Sequence, residues 1–135
     1  MISVSVVIPV FNDGALIAET LQSITRQTLS PEIIVVDDGS KDDPAQVICA
    51  FPTVHYHRAL NGGVGRARNA GVALAQGDWI AFCDMDDLWR PTNLETVAPG
   101  FTHGFANKLS ARRLRRPLNQ ARAANLNLDA KTFVG

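Results

Sequence analysis

Residues 79–83, Trp-Ile-Ala-Phe-Cys, form an apolar run that stops abruptly at Asp84, with Asp86 and Asp87 close behind. A run this short, preceded by Gly77, suits a strand buried on both faces, as in a parallel sheet. The carboxyl ends of such strands are where open α/β sheets bind ligands. Three like charges gathered there repel one another unless a divalent cation sits between them. The junction therefore reads as a metal site, and the plainer alternative is a solvated acidic turn.

The upstream chain repeats this pattern. Residues 3–10, Ser-Val-Ser-Val-Val-Ile-Pro-Val, are β-branched and nearly all apolar, which predicts a central strand with Pro9 near its end. A helix should follow at once, capped by Asn12 or Asp13, with Leu16, Ile17, Leu21 and Ile24 as its buried stripe and its end between Gln27 and Pro31. Residues 32–40, Glu-Ile-Ile-Val-Val-Asp-Asp-Gly-Ser, form a second apolar strand ending in carboxylates, Asp37 and Asp38, and Gly39 permits a sharp turn. Asp42 or Asp43 before Pro44 starts another helix, which carries Val47, Ile48 and Phe51 toward the core. Residues 53–58 alternate in strand fashion and place His55 and His57 on one face, either a polar outer surface or a pair of metal ligands.

Residues 61–71, Asn-Gly-Gly-Val-Gly-Arg-Ala-Arg-Asn-Ala-Gly, run from a glycine-rich turn into a helix that ends at Gly77. The turn resembles a dinucleotide fingerprint but fails it, because Arg68 stands where the third glycine belongs. Free amides at that helix start, with Arg66 and Arg68 beside them, would attract an anion, whereas the plainer reading is a turn and helix cap. The order β-α-β-α-β-α-β, with crossover-length connections, predicts a Rossmann-like, doubly wound, mostly parallel α/β sheet. Beyond Asp87, residues 93–97 suggest a short helix stopped by Pro99-Gly100.

Charge divides the 135 residues unevenly: residues 1–98 carry 12 acidic and 6 basic side chains, and residues 99–135 carry 1 and 7. The domain is expected over 1–98, followed by a basic tail over 99–135 with no strand and a solvated or partly disordered character. Its Arg112–Arg116 run lacks interleaved aromatics, so no nucleic-acid partner is expected. No apolar stretch reaches the roughly 18 residues of a membrane span, and Met1 leads directly into a strand, which predicts a cytoplasmic body. Cys49 and Cys83, both in apolar contexts, are expected as buried reduced thiols.

Together the stretches 4–12, 32–40, 61–71 and 77–89 resemble, in order and spacing, the amino-terminal nucleotide-binding half of family 2 glycosyltransferases with the GT-A fold. The resemblance implies a sheet that is incomplete here and an enzyme that moves a sugar from a nucleotide-diphospho-sugar, usually a UDP-sugar, to an acceptor hydroxyl, in polysaccharide or cell-wall biosynthesis. Asp37 would accept a hydrogen bond from the base, with Asp38 beside it and Pro9, Phe11 and Asn12 lining the same pocket. Arg68 would close over the base or the diphosphate. Asp84 and Asp86 would also contact the nucleotide, and Asp86 or Asp87 would hold Mn²⁺ or Mg²⁺ on the diphosphate. Such enzymes also work at the inner face of the membrane.

The family's acceptor site and general base lie beyond the acidic motif, and residues 99–135 do not resemble that half. Glu95 and Asp129 are the only acidic residues after Asp87, and neither has a supporting motif, so no base is identified. This points to a truncated or frame-altered chain, whose exposed sheet edge could drive self-association. Two competing readings are a non-catalytic nucleotide-binding fragment and a signalling receiver domain. The receiver's acidic pair ends its first strand, however, and here a full strand and helix come earlier.

Overall fold

The computed structural model describes residues 3–96 and the backbone of residues 112–113. Strands β1 (Val4–Val10), β2 (Glu32–Asp37), β3 (Val54–Arg58) and β4 (Trp79–Phe82) lie parallel. Helices α1 (Ile17–Thr25), α2 (Pro44–Ile48) and α3 (Val64–Leu74) connect them. A two-residue strand, β5 (Arg112–Arg113), pairs antiparallel with β4 and completes the order β3-β2-β1-β4-β5. That strand corrects the expectation of a strandless tail. Position is what creates it: β4 would otherwise present an open row of backbone groups, which a passing segment of any composition can satisfy.

Alternation along the strands sorts the core into two layers. Val6, Ile8, Ile33, Val35 and Ala81 pack with Ile17, Leu21 and Ile24 of α1 and Ile48 of α2. Val7, Ile34, Val36 and Ile80 face the other way and pack with Ala67 and Val72 of α3. Helices on both faces make the sheet doubly wound, as expected. Fully burying each of the large aliphatics contributes about 1.5–3 kcal/mol. The chain winds from β1 outward to β3, then crosses back over β1 to β4, so the direction of winding reverses between β1 and β4.

Gly71 brings α3 onto the sheet, since a Cβ there would stand 2.3 Å from Val7 Cγ1. At the amino ends of the strands, the Ser5 hydroxyl donates to Glu32 and accepts from the Gly77 N–H at 2.8 Å. The same Glu32 oxygen accepts from the Gln76 N–H at 2.8 Å.

Several local expectations change. Leu16 is 50 % exposed because a 3₁₀ turn, Gly14–Leu16, precedes α1 and carries it out of the helical stripe. Neither Asn12 nor Asp13 caps the helix through its side chain. Val47 and Phe51 are only partly buried. Cys49 is exposed, because α2 buries only Pro44 and Ile48, whereas Cys83 is buried. His55 and His57 do share a face of β3, and both are exposed. Residues 93–96 are helical, and Pro99 and Gly100 lie outside the described residues, as do Asp129 and Arg115–Arg116.

Candidate functional site

Pro9 opens the site. In a parallel ladder, alternate residues of a central strand bond to one neighbour and the rest to the other. Val7 bonds toward β4, where its carbonyl accepts from the Cys83 N–H at 3.1 Å. The next donor on that side would be residue 9, and proline has none. The β1–β4 ladder ends there, while β1 continues beside β2 as far as the Val10–Asp37 pair. Between the diverging strands lies a cleft of about 380 Å³ whose walls include Pro9, Phe11, Asp38, Val64, Asp84 and Asp86. It sits where the winding reverses, at the carboxyl ends of the strands, which is the binding position of an open α/β sheet.

The loop after β1 holds two non-glycine residues in left-handed backbone, Asn12 at φ 54° and Asp13 at φ 51°. Left-handed backbone costs such residues roughly 1–2 kcal/mol each, so neighbours must hold them. The Asn12 N–H donates to Ser40 Oγ at 2.9 Å, the Lys41 N–H donates to Asn12 Oδ1 at 3.0 Å, and the Gly14 N–H donates to Asp42 at 2.7 Å. Two sequence-distant loops are thereby laced into one rim.

The two carboxylates ending β2 have separate duties. Asp37 has a fully buried side chain that accepts from the Ser40 N–H at 2.8 Å, the Tyr56 hydroxyl at 2.6 Å and Arg58 at 3.4 Å. Burial by itself raises its pKa, but the hydrogen bonds from Ser40 and Tyr56 and the charge of Arg58 outweigh that and hold it below the ordinary carboxylate value. Burial and the adjoining carboxylate push the Tyr56 phenol up to about 12. Asp38 is the member of the pair on the cleft wall. Its oxygens accept from the Gly62 and Gly63 N–H groups at 2.8 and 3.0 Å. The two amides just before α3 are therefore occupied from within, because a carboxylate only 5 % exposed requires donors.

Across the cleft, Asp84, Asp86 and Asp87 are exposed, and the first two line it. The Asp87 N–H closes the turn onto the Asp84 carbonyl at 3.1 Å. Arg68 pairs with Asp84 at 3.1 Å and lies over the Phe82 ring, 5.8 Å from its centroid. Burial, then the charges of Asp87, Asp84 and Asp86, raise the pKa of the Cys83 thiol behind them. Asn12, Asp37, Arg68 and Asp87 thus border or support the cleft, while Pro9, Phe11, Asp38, Asp84 and Asp86 form its walls.

Among the described residues no three His, Cys, Asp or Glu converge as a closed metal cage. Asp84 and Asp86 nevertheless suit a hard cation, since they offer exposed oxygen donors on the cleft wall. A site of one or two carboxylates leaves the remaining coordination to phosphate oxygens and water, the usual manner of Mg²⁺. Glu95 accepts from Thr28 Oγ1 at 2.8 Å and is not among the lining residues.

A family model described as glycosyl transferase family 2 matches residues 5–128. The chain belongs to glycosyltransferase family 2. The match extends past residue 98, where the charge balance changes. GlyG, a glycosyltransferase of Streptococcus pneumoniae serotype 4, is 35% identical over 100 residues, covering 70% of this chain and 33% of GlyG. S. aureus TarS, solved in complex with UDP, superposes with a TM-score of 0.69 at 27% identity, covering 75% of this chain and 32% of that one. TarS is also solved with UDP-GlcNAc. The mannosyltransferase PcManGT from Pyrobaculum calidifontis, in complex with GDP-Man and Mn²⁺, superposes at 0.58 with 26% identity, covering 65% of this chain and 28% of that one. This chain thus spans about a third of the length of the relatives it matches. No helix among the described residues is long and apolar enough to cross a membrane.

Proposed function

We propose that the cleft between β1 and β4 holds the nucleotide of a UDP-sugar, and that the chain is the donor-binding part of a metal-dependent transferase acting on a hydroxyl acceptor of polysaccharide or cell-wall biosynthesis. The carrying observation is that Asp38, Asp84 and Asp86, from the ends of two different strands, line one cleft together with Pro9 and Phe11. The likeness to TarS with UDP and UDP-GlcNAc, and to PcManGT with GDP-Man and Mn²⁺, supports this reading.

Asp38 spends two acceptor positions on backbone amides and a carboxylate has about four, which leaves capacity for a donor on the base. Asp37 fixes the turn from below, through Ser40 and Tyr56. Phe11, 45 % exposed, offers an apolar surface to the base or ribose. Asp86, with Asp84 or Asp87, would hold Mn²⁺ or Mg²⁺, which when bound offsets the negative charge that develops on a leaving diphosphate. Arg68, already poised over Phe82, turns from Asp84 to the diphosphate.

No general base is identified among the described residues, so the reading assigns donor binding to this chain and leaves the base unassigned. The reading takes the cytoplasm as the setting of this work, with the inner face of the membrane as the alternative. Calorimetric titration with UDP, with and without Mn²⁺, tests it. Saturable binding strengthened by the metal and lost in the Asp86→Ala, Asp87→Ala double variant is expected, and a folded chain that ignores UDP under both conditions overturns it. Sedimentation of the same sample reads self-association.

A further inference from the structure

Between Phe82 and the helical turn at residues 93–96 the chain has no regular structure, yet it carries all three exposed carboxylates of the acidic turn. Their mutual repulsion would splay such a segment, so something must hold it. One polar stripe of α1 and its C-terminal continuation does so. Thr20, Ser23 and Gln27 recur at helical spacing, and each grips backbone more than sixty residues away. The Thr20 hydroxyl, fully buried, donates to the Met85 carbonyl at 2.7 Å. Ser23 Oγ accepts from the Trp89 N–H at 3.1 Å. Gln27, 6 % exposed, donates to the Arg90 carbonyl at 2.7 Å and accepts from the Leu94 N–H at 3.1 Å.

Thr20 differs from the other two in what it grips. The Met85 carbonyl belongs to the peptide plane that carries the nitrogen of Asp86, so fixing it fixes the direction in which Asp86 leaves the backbone. Ser23 and Gln27 hold the chain only after the acidic turn has passed. We infer that Thr20 is a positioning residue for the cation-binding carboxylates, fixing where Asp86 stands relative to Asp84. The inference rests on the cation site proposed above and adds to it a residue of α1, on the face of the sheet opposite α3. Outer partners of this kind typically change metal affinity by about ten- to a hundredfold when removed.

The test uses Mn²⁺ alone, titrated into the full chain and followed by the electron paramagnetic resonance of the free ion, and is then repeated with UDP. Thr20→Val keeps the β-branched shape and removes the donor; it should weaken Mn²⁺ binding at least tenfold, and Thr20→Ser should restore it. Thr20→Ala removes the same donor without a branch to misplace and serves if the valine variant does not fold. Ser23→Ala, which loosens the segment beyond the turn, should lower the denaturation midpoint while leaving Mn²⁺ affinity within about twofold. A merely structural Thr20 would behave like Ser23, and folded Thr20→Val or Thr20→Ala chains with wild-type Mn²⁺ affinity overturn the inference. A wild-type chain that binds UDP but no Mn²⁺ also overturns it and leaves nucleotide binding standing. Mn²⁺ binding that weakens in the variants, with no UDP binding in any chain, supports the inference and overturns the nucleotide reading.

Discussion

Replacing Gly71 with alanine sets two known effects against each other. In an exposed helix the substitution stabilises by roughly 0.5–1 kcal/mol, because glycine loses more backbone freedom on folding. At this position the new methyl would stand 2.3 Å from Val7 Cγ1, 3.2 Å from Val7 Cγ2 and 3.3 Å from Val36 Cγ2. Non-bonded carbons settle near 3.5–4.0 Å, so α3 and β1 must separate by about 1.2 Å or more. Val7 cannot yield cheaply, being fully buried on a strand paired on both sides. Overpacking of this sort costs about 1–3 kcal/mol, which exceeds the helical gain. Gly71→Ala should therefore lose roughly 1–2 kcal/mol net, lowering the urea midpoint by on the order of 0.5–1 M for a slope of 1–3 kcal/mol per M.

Displacing α3 also carries Gly63 and Val64 away from the cleft wall, so UDP affinity should fall in the same variant. Urea denaturation followed by circular dichroism, paired with UDP titration, measures both. In a double-mutant cycle with Val7→Ala, which removes the colliding methyls, the two losses should fall short of additive by about 1 kcal/mol. A midpoint that rises, as helix propensity alone demands, would refute the reasoning.

Tyr56→Phe should cost about 1–3 kcal/mol by removing a donor from the buried Asp37 carboxylate. Because Asp37 titrates below its ordinary value of 3.8, its stabilisation is complete above that pH and is lost as pH falls through the depressed value. The variant's acid unfolding limb should move to higher pH, and identical limbs for the two chains would exclude this role. With Cys83 buried and its thiol raised, and Cys49 exposed, a thiol reagent at pH 8 should modify one cysteine in the folded chain and two in denaturant. Rapid modification of both without denaturant would contradict that placement. Arg68→Gln removes the cation paired with Asp84, so Mn²⁺ alone should bind up to about fivefold more tightly, the scale of an exposed ion pair, while UDP binds more weakly. A loss of both affinities would mean that Arg68 supports the turn rather than competing for it.

The strands were legible because burial on two faces leaves uninterrupted apolar runs, and the cleft because two of those runs end in carboxylates. Pro9 and Gly71 were visible as residue types, but what each leaves open depends on a neighbouring element. The hold of Asp38 on the amides of Gly62 and Gly63 was not legible, since nothing local reports that the carboxylate reaches across 24 residues of chain. The Thr20, Ser23 and Gln27 stripe was missed for a related reason. Polar residues on a helix read as a solvated face, and only their recurrence beside the apolar stripe hints at a second packed element. Leu16 failed at a finer level: an apolar period cannot say whether the first turn is 3₁₀ or α.

The clamp of Ser5, Glu32 and Gly77 lies at the end of the sheet away from the cleft, and it works there as a gauge block. Each residue of a strand advances about 3.3 Å and turns its side chain to the opposite face. A slip of one position at Gly77 would arrive at the far end of β4 as an Asp84 displaced by that step and pointing into the wrong layer. The apolar pairs along β1 and β4 tolerate such a slip poorly, but among valines, alanine and isoleucine the difference is one of degree. A hydroxyl that must meet one particular amide and one particular carboxylate admits no neighbouring solution. The alignment of the acidic turn is thus measured out from a polar mark at the opposite end of the sheet, and substitutions there should be felt at a cleft they never touch.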